Sequence, residues 1–147
     1  MIKAVIFDFG YTIYDPDKNE LLKEAVPLLE NLKNRYKLAL TSRTTNVDER
    51  LEQIKKLGLN EYFDTVAVTA KGQDKDLSQI MKNFRLNPEE VLVVGDRIDS
   101  EIRQGNTLGM KTAHFRYGPR QKIEPQNDFD KANFEINNLE EILILIQ

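Results

Sequence analysis

The sequence predicts an α/β fold in three layers, with a parallel β-sheet between two layers of helices. Four short runs are apolar at every position, which is typical of parallel strands that are covered on both faces. Segments in which apolar residues recur at helical spacing lie between these runs. Because strand and helix alternate along the chain, right-handed crossovers are expected to bring the strands into one Rossmann-like sheet.

The predicted strands are short and end at polar residues. They are Ala4–Phe7, Lys37–Leu40, Thr65–Val68 and Val91–Val94, with a more mixed fifth run at Met110–Phe115. The long polar segment from Tyr117 to Lys131 contains glycine and proline and is predicted to be a loop.

Helical spacing predicts five helices. Their apolar faces cover Leu21–Leu32, the segment after Asn46, Leu77–Phe84, Ile98–Leu108 and the segment after Asn138. Pro27 is expected to break the first helix or to start a second one. Asn46 and Asn138 are each followed three residues later by glutamate, a pattern that caps helix N-termini.

Composition narrows the functional classes. The chain has 147 residues, and we expect one domain over residues 1–147. A net charge of -3 gives no general attraction to nucleic acid, and no segment is long and apolar enough for a membrane span. Cysteine is absent and His114 is the single histidine, which excludes thiolate chemistry and multi-histidine metal sites. A cytoplasmic location is the default expectation.

Polar residues that could carry chemistry follow the predicted strands. Ligands of open parallel sheets bind beyond the carboxyl ends of the strands, where Asp8, Ser42, Lys71 and Asp96 stand. A carboxylate can attack phosphorus, and two carboxylates can bind Mg²⁺, which prefers oxygen ligands. A lysine and a hydroxyl group would hold the remaining phosphate oxygens.

Each of these residues also has a purely structural explanation. Asp8 and the Gly95-Asp96 pair are typical of turns and helix caps, and Ser42 and Lys71 could be an ordinary turn residue and a solvated charge. His114 is expected to be a structural strand residue. The joint arrangement at one edge of the sheet favours the functional interpretation.

Two segments resemble the motifs of a known family. The segment from Val5 to Thr12 resembles the first motif of the haloacid dehalogenase superfamily, in which the first aspartate is the nucleophile. The segment from Val93 to Ile102 resembles the fourth motif, with Asp96 as a magnesium ligand. The resemblance implies that Asp8, Asp96 and the backbone carbonyl of Gly10 bind Mg²⁺.

The remaining family positions follow from the same resemblance. Ser42, with Thr41 as the alternative, takes the phosphate-binding hydroxyl of the second motif, and Lys71, with Lys75 as the alternative, takes the lysine of the third. The resemblance further implies that Thr12 contacts phosphate. It also places Glu101 at the second acidic position of the fourth motif, with Asp99 as a nearby substitute.

Two departures from the family pattern affect function. Family phosphatases carry a general acid two residues after the nucleophile, and here that residue is Gly10. Tyr11, Tyr14 and Asp15 are the candidate substitutes. The chain also lacks room for a cap domain after either of the first two motifs. An uncapped site suggests a macromolecular substrate, or a second copy of the chain acting as the lid.

The sequence therefore predicts a magnesium-dependent phosphohydrolase that acts on a phosphorylated substrate through Asp8. The alternative is a binding or regulatory domain that keeps the metal site without multiple turnovers, which Gly10 and the absent cap motivate. A phospho-receiver domain ranks lowest, because receivers are phosphorylated at the end of the third strand, and Thr69-Ala70 stands there.

Overall fold

A computed structural model describes residues 1–147. In chain order the strands are β1 (Ala4–Asp8), β2 (Tyr14–Asp15), β3 (Glu20–Leu21), β4 (Lys37–Thr44), β5 (Thr65–Ala70), β6 (Val91–Gly95), β7 (Lys111–Phe115) and β8 (Phe134–Ile136). The helices are α1 (Ala25–Leu32), α2 (Val47–Lys56), α3 (Leu77–Asn83), α4 (Arg103–Leu108) and α5 (Ile142–Leu145), and a π-helical turn at Ile98–Ile102 directly precedes α4.

Six of the strands form one parallel sheet in the order β5-β4-β1-β6-β7-β8. Every residue of β1 and β6 is buried, because one apolar cluster covers each face of the sheet. This arrangement confirms the predicted α/β fold and explains why the central strands are apolar at every position. The short strands β2 and β3 form a separate antiparallel hairpin.

The first helix starts later than the sequence predicts. Residues Glu20–Leu21 pair with Tyr14–Asp15 as an extended hairpin, so the helix begins only at Ala25. Pro27 lies in the first turn of α1, where a missing backbone N–H removes no helical hydrogen bond. The expected cap at Asn46 is confirmed, since its side chain accepts a hydrogen bond from the Glu49 backbone N–H at 3.1 Å.

Two strand assignments also differ from the sequence prediction. Strand β4 continues to Thr44, because β5 pairs with it as far as Ala70 and the Lys71 N–H donates to the Thr44 carbonyl at 2.8 Å. Strand β8 was not predicted, because its three residues at the edge of the sheet include only one that is buried. The segment from Tyr117 to Lys131 contains only short 3₁₀ turns, as expected for a loop.

The sheet order determines which polar residues can meet. Strand β1 is flanked by β4 and β6, so their three carboxyl ends converge. Strand β5 lies one position further out, beyond β4. Between β1 and β4 the chain contains only the β2-β3 hairpin and α1, and between β4 and β5 only α2 and one 3₁₀ turn, so no cap domain is inserted.

None of the helices has both the length and the apolar character that a membrane span requires.

Candidate active site

The candidate site is a polar pocket of about 190 Å³ at the carboxyl end of β1. Asp8, the last residue of β1, is buried there and contacts Lys75, whose Nζ lies 2.5 Å from Asp8 Oδ1. Gln104 fixes the segment that carries this lysine, because its side chain donates to the Lys75 carbonyl at 2.6 Å and accepts from the Leu77 N–H at 2.8 Å.

Three buried carboxylates meet beside Lys75. Oxygens of Asp8, Asp96 and Glu101 lie within 4.8 Å of one another. Asp96 Oδ2 and Glu101 Oε1 are buried without a hydrogen-bond partner, although Arg120 Nη1 lies 3.5 Å from Asp96 Oδ2. Unpaired buried carboxylate oxygens are costly, and they are the ligands that a hard divalent cation prefers. The donor set therefore fits Mg²⁺.

The electrostatics of the cluster also favour a bound cation. Burial, followed by the charge of Glu101, raises the pKa of Asp96 to about 6. Burial, followed by the charge of Asp8, raises the pKa of Glu101 to about 7. Burial lowers the pKa of Lys75, but the charges of Asp8 and Glu101 outweigh it and the net pKa is raised. Lys75 contacts two of the three carboxyl groups, and Arg120 lies 3.5 Å from the third, Asp96. A bound divalent cation would add further positive charge beside all three.

Gly95 makes room for Glu101. A Cβ atom on Gly95 would lie 2.4 Å from Glu101 Cγ and 2.6 Å from Glu101 Oε1. We expect Gly95→Ala to push Glu101 out of the cluster and to weaken Mg²⁺ binding by about 10–100-fold, a range typical of lost outer partners at metal sites. Isothermal titration with Mg²⁺ measures this against the parent protein. Unchanged affinity in a folded Gly95→Ala protein would contradict the role of this contact.

Removing the Glu101 charge is expected to stabilise the metal-free protein. The pKa of Glu101 rises from 4.5 to about 7 on folding, so ionisation opposes folding above pH 7, and this cost disappears as the pH falls below 4.5. Glu101→Gln should therefore raise the free energy of unfolding at pH 8 by up to about 3 kcal/mol, with no gain at pH 4. Urea denaturation in EDTA measures the difference, with exposed Glu52→Gln as the control. A less stable Glu101→Gln protein at pH 8 would be inconsistent with this cost.

Ser42 lines the pocket and Thr41 does not. The buried Ser42 hydroxyl accepts a hydrogen bond from Arg50 Nη1, and the Arg50 guanidinium lies 4.9 Å from the centre of the Phe9 ring. Thr41 instead donates to the Phe7 carbonyl at 3.4 Å within the sheet. Of the two hydroxyls that the sequence left open, the geometry favours Ser42.

Of the two lysines that the sequence left open, the geometry favours Lys75. Lys71 is exposed and continues the pairing of β5 with β4, and β5 is separated from β1 by a whole strand. Lys75 lies four residues later, where the chain returns across the edge of the sheet toward α3, and its side chain contacts Asp8.

The geometry does not favour the phosphate role expected for Thr12. The Thr12 side chain is completely buried, its hydroxyl has no hydrogen-bond partner, and it does not line the pocket. The cause is a tight turn in which the N–H groups of Thr12, Ile13 and Tyr14 all approach the Phe9 carbonyl, at 3.3, 3.0 and 2.9 Å. This turn places the Thr12 side chain in the interior and not in the pocket lining.

Of the three candidate replacements for the missing acid, only Tyr11 lines the pocket. Its hydroxyl donates to Asp17 at 3.0 Å, and this bond raises the pKa of Tyr11. Tyr14 is buried and stacks on the Phe9 ring at 4.9 Å. Asp15 accepts hydrogen bonds from Tyr117 and from the backbone of the following turn. Gly10 itself lines the pocket.

The two acidic residues near Asp96 differ in position. Glu101 lies inside the cluster, on the π-helical turn, whereas the half-exposed Asp99 forms an ion pair with Arg97 at 3.1 Å. His114 is a buried residue of β7, and its Nε2 lies 3.2 Å from the Asp96 carbonyl. Burial, followed by the charge of Arg116, lowers the pKa of His114, so the imidazole is neutral at pH 7 and has a structural role.

Sequence reasoning missed the cationic rim of the pocket. Four arginines line it together with Lys75, and they are Arg43, Arg50, Arg97 and Arg120. The positions of two of them in the sequence could have indicated this, since Arg43 directly follows Ser42 and Arg97 directly follows Asp96. Arg120 lies in the loop after β7, and nothing in its local sequence indicates that it returns to the site.

The fold and the arrangement of this site are similar to those of haloacid dehalogenase-like proteins. Residues 15–115 match the haloacid dehalogenase-like hydrolase family, and the chain belongs to it. The matched region includes Ser42, Lys75, Asp96 and Glu101 but begins after Asp8.

Among curated relatives, the chain is 31% identical over 130 residues to the glyceraldehyde 3-phosphate phosphatase of Methanopyrus kandleri, covering 84% of this chain and 55% of the relative. It is 27% identical over 139 residues to the mitochondrial phosphatidylglycerophosphatase GEP4 of Saccharomyces cerevisiae, covering 88% and 75%. The chain thus spans about half the length of the first of these relatives.

Solved structures confirm the fold. The HAD-hydrolase YfnB of Bacillus subtilis, solved with bound magnesium, superposes with a TM-score of 0.81 over 99% of both chains, at 14% sequence identity.

Proposed function

We propose that the protein is a magnesium-dependent phosphohydrolase in which Asp8 accepts the phosphoryl group. The observation that carries the proposal is the pairing of Asp8 with Lys75 beside the unpaired oxygens of Asp96 and Glu101. The names of the curated relatives, which are phosphatases, support the same reaction class.

The side chains suit a two-step reaction. A carboxylate oxygen of Asp8 attacks phosphorus, the bond to the leaving oxygen breaks, and an acyl phosphate forms. Water then attacks this phosphorus, inorganic phosphate leaves, and the Asp8 carboxylate is restored. Lys75 and the Ser42–Arg50 pair are placed to hold phosphate oxygens. Mg²⁺ held by Asp8 and Asp96, with Glu101 beside them, would neutralise charge between the carboxylates and the phosphate.

Gly10 restricts which substrates react well. No carboxylate stands where the family acid would protonate the leaving group, and Tyr11 holds its proton in a bond to Asp17. Substrates whose leaving oxygen is stable as an anion, such as aryl or acyl phosphates, are therefore expected to react faster than alkyl phosphates.

A second candidate function is a phosphate-binding domain without multiple turnovers, which Gly10 favours. It shares the metal site and the first contacts with phosphate, and it differs in the fate of the phospho-aspartate.

Turnover of 4-nitrophenyl phosphate with Mg²⁺ separates the two candidates. We expect multiple turnovers, and reduction of the trapped intermediate by borohydride followed by peptide mass spectrometry should label Asp8. Asp8→Asn, checked for folding by circular dichroism, should lose both signals. Labelling of Asp8 with a single turnover would favour the binding domain. The absence of both turnover and labelling would contradict the phosphohydrolase function.

A further inference from the structure

A second cationic cleft adjoins the candidate active site. Its volume is about 620 Å³, and no hydrophobic residue lines it. Three of its seven lining residues carry positive charge, namely Arg43, Lys71 and Arg97, and Asp74 is the one carboxylate among them. Arg43 and Arg97 also line the pocket that contains Asp8, so the two pockets share a wall.

Two of these cations lack an anionic partner within the protein. The side chains of Arg43 and Lys71 make no hydrogen bond and no ion pair, whereas Arg97 is held by Asp99 at 3.1 Å and 3.2 Å. Like charges gathered at one cleft repel one another, and an anion bound between them removes this cost. The threonine hydroxyls of Thr44 and Thr45 add neutral donors to the same cleft.

The register of the sheet gives the offset between Asp8 and Arg43 along the strand direction. Asp8 pairs with Thr41, and Arg43 stands two residues further along β4. A parallel strand rises about 3.3 Å per residue, so Arg43 begins about 7 Å beyond the level of Asp8. Lys71 extends the cleft in the same direction, because its N–H bonds to the Thr44 carbonyl. A few carbon atoms would span this separation.

We propose that the substrate is a small organic bisphosphate, with one phosphate at Asp8 and the second between Arg43, Lys71 and Arg97. This assignment rests on the proposed phosphohydrolase function and adds the substrate class, in place of the macromolecular substrate that the uncapped site suggested. It also gives a role to Lys71, which does not line the pocket that contains Asp8 but lines the neighbouring cleft.

Binding of phosphonates tests the assignment without requiring turnover. With saturating Mg²⁺, isothermal titration should show butane-1,4-bisphosphonate binding roughly tenfold more tightly than butylphosphonate, since two partly exposed cation contacts are gained. Lys71→Gln and Arg43→Gln should each reduce this ratio, and added NaCl should reduce it further through screening. Lys111→Gln, at the exposed start of β7 on the opposite edge of the sheet, is the matched control and should preserve it.

Equal affinity for the two phosphonates, or no measurable binding of either, would overturn the bisphosphate assignment. Turnover of 4-nitrophenyl phosphate is measured separately and decides the phosphohydrolase function. A preference for the bisphosphonate in a protein without turnover would contradict the catalytic proposal and support the second anion site. Turnover without that preference would support the catalytic proposal and contradict the second anion site.

Discussion

Replacing Gly10 by aspartate is expected to raise the turnover of 4-nitrophenyl phosphate by about 10²–10⁴-fold, the usual contribution of a general acid and base. The new carboxylate would accept the proton of the water that attacks phospho-Asp8. The site can receive the side chain, since a Cβ on Gly10 would meet no atom within 4 Å and the φ of Gly10 is not positive. Steady-state kinetics with Mg²⁺ measures the gain.

Gly10→Asn is the matched control for this prediction, because it has nearly the same shape and cannot exchange a proton. It should stay close to the parent protein in turnover. A folded Gly10→Asp protein that gains nothing over Gly10→Asn would show that the missing acid does not limit the reaction.

Lys75→Met is expected to be the most destabilising single change in the site. It leaves the buried carboxylates of Asp8 and Glu101 without their cation, which should lower the free energy of unfolding by about 3–5 kcal/mol at pH 8 without metal. The loss should shrink at pH 5, since the pKa of Glu101 is raised to about 7 and this carboxyl group is then mostly protonated and uncharged. Turnover should fall by about 10²–10³-fold, as for the loss of one charge-stabilising donor.

The matched control for Lys75→Met is Lys71→Met. Lys71 is exposed and unpaired, so its removal should change the free energy of unfolding by less than about 0.5 kcal/mol. Urea denaturation and 4-nitrophenyl phosphate kinetics measure both effects. A larger loss of turnover in Lys71→Met than in Lys75→Met would favour Lys71 as the lysine that holds the reacting phosphate.

The fold could be predicted because the sequence pattern of its central strands indicates buried parallel strands. Residues 4–7 and 91–94 are apolar throughout, and only strands covered on both faces require that pattern. Leu21 and Leu22 fit a helical pattern equally well, but pairing of β3 with β2 overrides local spacing there. The edge strand β8 carries too few buried residues to leave a pattern in the sequence.

The site was predictable where residues are fixed by strand ends. Asp8 ends β1 and Asp96 directly follows β6. Because β1 and β6 are neighbouring parallel strands, the sheet must bring these residues together. Lys75 could not be chosen over Lys71 from the sequence, because the choice depends on the path of the loop before α3. Arg120 returns from a loop after β7, and such a contact has no local signal.

The central claim is that Asp8 and Asp96 share one divalent cation while Asp8 faces the phosphoryl group. A crystal structure with Mg²⁺ and a fluoride mimic of the phosphoryl group, such as beryllium fluoride, tests it directly. The expected result is Mg²⁺ bound by oxygens of both aspartates, with the beryllium bonded to an Asp8 oxygen and its fluorides near Lys75 and Ser42. Density for Mg²⁺ away from either aspartate, or for the fluoride away from Asp8, would contradict the account.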